Sequence, residues 1–177
     1  MKTDFDEPRH AIVVDASVGR SCGDETAIDA HAVACRDVLA AIRRARMRLV
    51  MSPQIMVEWI EHRSRHAVKW LGEMTDRRLV DAVNPPEHGA TRAAIEALKE
   101  EGIRVLLTKD LLLVEAALAS DQRVVSGDNQ ARRHFHELCG IVGALGEVHW
   151  SDPDDSRCLG WLNEGALEDE RLKLRSA

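Results

Sequence analysis

Apolar residues along this chain fall into two rhythms. Short, nearly continuous runs occupy positions 10–14, 48–51, 79–83, 123–126 and 147–150. Runs of that length, apolar on both faces, predict strands of a parallel sheet covered by helices. Between them, apolar residues recur at three- and four-residue steps. Ile28, Ala32, Cys35, Leu39 and Ile42 make such a stripe within an expected helix over 26–47. Ser52-Pro53 supplies an N-cap and a first-turn proline for the next helix. Its stripe is Met56, Ile60, Ala67, Leu71 and Met74, opposite a polar face of Gln54, Glu58, Glu61, His62 and Arg65. Asn84-Pro85-Pro86 interrupts the chain after an expected edge strand. A helix over 91–101 closed by Gly102 comes next, then a short apolar segment at 103–107. The stretch 111–119 is apolar nearly all round, which predicts a buried helix with Asp110 at its N-terminus. A last short helix spans 130–137.

Strands alternating with helices imply a parallel sheet, and right-handed crossovers place helices on both of its faces. The expected fold is an α/β, three-layer α/β/α sandwich around a five-stranded parallel sheet. Residues 1–9 read as a flexible extension, 10–151 as the domain, and 152–177 as a partly helical tail. A chain of 177 residues is long enough for one well-buried core.

Composition narrows the function. Hydrophobic residues at 45% and charged residues at 31% are a globular balance. With aromatics at 3% and no tyrosine, Ala, Val, Leu and Ile must fill the core. A formal charge of −6 argues against a general polyanion binder while allowing a local basic groove. No apolar run is long enough to span a membrane, and the acidic start does not read as a signal peptide, so the expected location is cytoplasmic. Cys22, Cys35, Cys139 and Cys158 form no C-x-x-C pair and no zinc-spaced cluster, so free thiols are expected.

The chemistry is signalled by acids where strands end. Val125-Ser126-Gly127-Asp128 and Val13-Val14-Asp15-Ala16-Ser17 share one grammar: an apolar strand, then a carboxylate at its carboxyl end. In an open parallel sheet those ends converge on one crevice. Glu58, less than two turns into a helix that follows a strand, belongs on the same rim, and Asp110 is the fourth acid at an element end.

Four segments, 12–17, 52–58, 110–117 and 124–128, resemble in order the four acidic motifs of PIN-domain ribonucleases. The likeness runs from about residue 10 to 150. It implies a magnesium- or manganese-dependent endoribonuclease with Asp15, Glu58, Asp110 and Asp128 as catalytic and metal-binding acids. Ser17 matches the small polar residue beside the first aspartate. The resemblance also implies an RNA partner, a homodimer and, for toxin members, an antitoxin protein.

Elementary chemistry asks for the same residues. Hard divalent cations take oxygen ligands. Crowded carboxylates repel one another, so without metal at least one should have a raised pKa. An acidic site also needs flanking cations to approach RNA. The basic runs are Arg43, Arg44 and Arg46; residues 62–69; and Arg132, Arg133 and His134, of which Arg132 and Arg133 are the expected substrate contacts. Single-stranded or looped RNA is the expected target, because A-form duplex hides its bases. Ser17 stands where an aspartyl phosphotransferase would need a second acid, and Asp15-Ala16 lacks the adjacent acids of a receiver domain. The remaining alternative is a catalytically silent domain of this fold that binds RNA or scaffolds an assembly.

Overall fold

The computed structural model describes residues 10–177; the expected extension at 1–9 lies outside the described residues. Five strands form one sheet: β1 (Ala11–Val14), β2 (Arg48–Met51), β3 (Val80–Ala82), β4 (Arg123–Val125) and β5 (His149–Ser151). All pairs are parallel, in the order β3-β2-β1-β4-β5. β1 and β4 pair in the middle with Val14 opposite Val125, and the order of connection reverses between them. β1 and β4 are buried throughout, so they carry no polar alternation.

The helices are α1 (Ala16–Ser21), α2 (Ala30–Arg44), α3 (Pro53–His62), α4 (Arg65–Asp76), α5 (Gly89–Glu96), α6 (Glu101–Leu118), α7 (Asn129–Leu138) and α8 (Cys158–Asn163). The chain steps from β1 to β3 in one direction and from β4 to β5 in the other. Right-handed crossovers therefore place α1 to α4 on one face and α5 to α7 on the other. The architecture is the expected three-layer α/β/α sandwich around a five-stranded parallel sheet. No helix among the described residues is long and apolar enough to cross a membrane. All four cysteines are free thiols.

Several boundaries differ from the sequence pattern. α2 starts at Ala30 because Asp29 caps it, accepting the Ala32 amide. Ile28 therefore falls outside the helix and is 93% exposed, while Ala32, Cys35, Leu39 and Ile42 are buried as expected. The stripe drawn through Met56 and Ile60 is two helices, not one. Ser64 caps α4 through the Ala67 amide, and the break changes the phase, so Ile55 and Trp59 are the buried face of α3 and Ile60 is exposed. Gly102 does not close a helix; α5 ends at Glu96 and Gly102 lies in the first turn of α6. Segments 103–107 and 111–119 are one continuous helix, since nothing at Thr108-Lys109-Asp110 breaks it. Asp110 is consequently mid-helix and caps nothing.

Residues 152–177 are integrated into the fold rather than trailing from it. α8 packs on α2, and Leu162, Ala166, Leu172 and Leu174 are fully buried. The Lys173 ammonium meets Glu147, Glu168 and Glu170 at 2.9, 3.1 and 2.9 Å, tying this segment to the loop before β5.

Candidate active site

The place where strand order reverses is where open α/β sheets bind ligands, outside the carboxyl ends of the strands. Here that place lies between β1 and β4. Asp15 follows β1 directly, and its amide donates to Val125 O at 2.9 Å, extending the ladder by one residue. Its carboxylate caps α1 through Ser17 N at 3.1 Å. The second oxygen, Oδ2, accepts two hydroxyls: Ser17 Oγ at 2.7 Å and Ser126 Oγ at 2.8 Å. Ser126, buried at the end of β4, also accepts the Asp128 amide at 3.1 Å. One serine thus couples the acids of the two central strands. Asp128 caps α7 by accepting the Ala131 amide at 2.8 Å.

Asp15 and Asp128 therefore both do ordinary capping work, which asparagine or serine could also do. Glu58 and Asp110 have no such task. Glu58, half-buried on α3, makes no hydrogen bond or ion pair among the described residues. Its helix is anchored through the next residue: Trp59 donates Nε1 to Val14 O at 2.9 Å and stacks on Trp70 with ring centroids 5.7 Å apart. Gly19 of α1 lies flat against that indole, where a Cβ would stand 2.9 Å from Trp59 Cζ3. This close approach brings α1, carrying Ser17, against α3, carrying Glu58.

Asp110 is 5% exposed, and its Oδ2 is buried with no hydrogen-bond partner among the described residues. Burial pushes its carboxyl up to about 7, and the charges of Asp15, Asp128 and Glu58 push the same way; Lys109 alone opposes them. The sequence-based expectation of one raised carboxyl in the cluster is met at this residue. None of the four acids forms a salt bridge among the described residues.

Asp15, Ser17, Glu58 and Asp128 line one open cavity of about 520 Å³, with Asp110 buried in electrostatic reach of three of them. Arg132 and Arg133 do not line it. They line a neighbouring cleft, and Asn129 belongs to both. Among the described residues no three His, Cys, Asp or Glu side chains stand close enough together to hold a metal ion. The donors still fit a hard cation in kind: they are all oxygens, and one buried oxygen lacks a partner. Magnesium takes only one or two carboxylates and keeps several waters, so a closed cage of three is not required of it.

The cavity also holds residues that the sequence pattern did not single out. Arg20 and Lys109 put cations on its rim, and Gln130 adds an amide. His31, at the start of α2, faces it with Nδ1 2.8 Å from Asp154 Oδ2. Just outside that lining, Asp152 follows β5 as Asp15 follows β1, and its carboxylate accepts Asn129 Nδ2. That repeated grammar was available in the sequence; nothing there signalled His31. Comparison with family models, with curated proteins and with solved structures finds no match for this chain.

Proposed function

We propose that the chain is a divalent-metal-dependent endoribonuclease acting on single-stranded or looped RNA. The observation that carries this reading is Asp110. A helix buries a carboxylate within electrostatic reach of Asp15, Glu58 and Asp128, and among the described residues no cation pairs with it; Lys109, its neighbour in the chain, is the one charge that opposes them. Such an arrangement destabilises the folded protein unless a positive ligand arrives. A bound magnesium or manganese ion would supply that charge together with the Lewis acidity that phosphodiester hydrolysis needs.

The chain's own residues have distinct tasks in this reading. Asp15 and Asp128 are the primary ligands, held in place by Ser17, Ser126 and the caps of α1 and α7. Asp110 and Glu58 are ligands or orient the attacking water. Asp110, with a carboxyl near 7, can hold or give up a proton at Oδ2 near neutral pH. Ser17 faces the substrate. Arg20 and Lys109 on the rim offset repulsion between the acids and the phosphate. No serine, cysteine or histidine nucleophile is called for.

One observation favours the second reading, a silent RNA-binding or assembly scaffold: among the described residues no three His, Cys, Asp or Glu side chains converge. Labelled single-stranded RNA incubated with manganese or magnesium separates the two. Cleavage that stops with EDTA and with Asp15→Asn supports the nuclease. RNA left intact in both metals, with no metal-dependent change in thermal stability, overturns it in favour of the scaffold.

A further inference from the structure

A second cleft of about 680 Å³ adjoins the acidic cavity, with Asn129 in the wall of both. Arg132 and Arg133 of α7 form one side, and Arg157 and Arg171 form the other. Arg157 and Arg171 lie beyond the stretch that carries the family resemblance, yet both are built by one device. In Asp155-Ser156-Arg157, Nε and Nη2 donate to the two aspartate oxygens at 3.0 and 2.7 Å. In Asp169-Glu170-Arg171 the same two bonds measure 2.9 and 2.7 Å. Each pair cancels one charge but fixes a guanidinium, and no hydrogen bond among the described residues uses either Nη1. Arg132 has a buried Nε with no partner. Arg133 is exposed and makes no salt bridge among the described residues. Glu170, also in the wall, is occupied by Arg175 and Lys173. The positive surplus comes from Arg132 and Arg133, and the rigid donors from Arg157 and Arg171.

We propose that this cleft is the track for the RNA backbone leading to the acidic cavity, so that residues 152–177 supply half of the substrate-binding surface. The inference rests on the ribonuclease reading. Guanidinium groups match phosphate oxygens in pairs. Among the described residues no aromatic side chain lines the cleft, so it grips phosphates rather than stacking bases, and recognition there is sequence-tolerant.

The test is binding of a fluorescein-labelled, mixed-sequence 16-nucleotide RNA to the full chain in EDTA, where cleavage does not intervene. Removing one arginine that neutralises a phosphate lowers the salt slope of binding by about 0.7. The pair Arg133→Ala/Arg171→Ala should lower it by roughly 1.4 and weaken binding about 10-fold near 0.1 M salt. The pair Arg133→Lys/Arg171→Lys, which keeps the charge, should restore most of the slope. An unchanged slope and affinity in the alanine pair overturns the proposal, as does failure of the unaltered chain to bind. Displacement by polyglutamate as readily as by RNA of equal charge overturns the choice of a nucleic acid. Cleavage with manganese is scored separately. Unchanged binding alongside intact cleavage sinks the track alone. A reduced slope without any cleavage sinks the ribonuclease reading and, with it, the cleft's role as a substrate path.

Discussion

Helix α6 carries two buried acids five positions apart, and they live in opposite circumstances. Glu115 is 7% exposed and fully answered. Arg92 donates Nε and Nη2 to it at 2.8 and 2.9 Å, and the His88 amide adds a third bond at 2.8 Å. Burial alone would raise its carboxyl; the Arg92 fork, the His88 amide and the Arg92 charge outweigh that and hold it below the usual range. Asp110, as deeply buried, forms no ion pair among the described residues and leaves one oxygen there without a hydrogen bond, and its carboxyl is raised to about 7. The same helix therefore holds one acid that secures α5 to α6 and one whose charged form its surroundings disfavour. Structural burial of a charge comes with a partner; a buried acid left without one shifts toward its neutral form and is a candidate functional position. That contrast separates Glu115, which the sequence pattern did not single out, from Asp110, which it placed at a helix start.

The largest way to break the comparison is activity. Asp110→Asn should lower divalent-dependent RNA cleavage by about 100-fold or more, measured on a labelled oligonucleotide, because a charged oxygen at the site is removed. Glu115→Gln should leave the acidic cavity alone but lower unfolding free energy by about 2–3 kcal/mol, read by urea denaturation, since two charge-assisted bonds from Arg92 are weakened. Equal effects of the two substitutions on cleavage would erase the distinction.

Asp110→Asn should also stabilise the metal-free protein at neutral pH, by on the order of 2 kcal/mol. The sign follows from the shift. An unfolded chain releases this proton near 3.8, the folded chain only near 7. Folding is therefore unpenalised below pH 4, and the penalty grows from there to about pH 7 and levels off above it. The stability gap between the variant and the unaltered chain should open across that window and vanish at its acid end. Glu115 behaves in the opposite sense: its stabilisation is present above its unfolded value and is lost as pH falls through its lowered folded value. The smallest expected effect is Gly19→Ala, about 1 kcal/mol, from the clash of a new Cβ with the Trp59 ring. It should disturb cleavage more than its stability cost suggests, because it separates Ser17 from Glu58.

Much of the scaffold was legible from apolar patterning, because a parallel sheet buried on both faces leaves short runs with no alternation. Val13-Val14 and Val124-Val125 announce the two central strands, and the acids that follow them lie at the reversal of strand order. Helix ends were less legible. Asp29 and Ser64 reset α2, α3 and α4 by capping, a one-residue effect that periodicity averages over. Asp110 looked like a helix start because apolar residues crowd its C-terminal side, whereas the helix runs straight through it from Glu101. Its unusual state depends on what surrounds it in space, and Asp15, Glu58 and Asp128 come from three other parts of the chain. The tail was misjudged for a similar reason: Leu162, Leu172 and Leu174 are too sparse to form a stripe, yet each is buried against elements far away in sequence.

Whether Asp110 awaits a cation is decided by thermal unfolding with and without manganese. Without metal, Asp110→Asn should unfold at a higher temperature than the unaltered chain. With manganese at about 100 times its Kd, the unaltered chain should gain about 2.7 kcal/mol and overtake the variant, which gains little. Curves that keep the same order in both conditions, or that manganese leaves unmoved, would contradict the account.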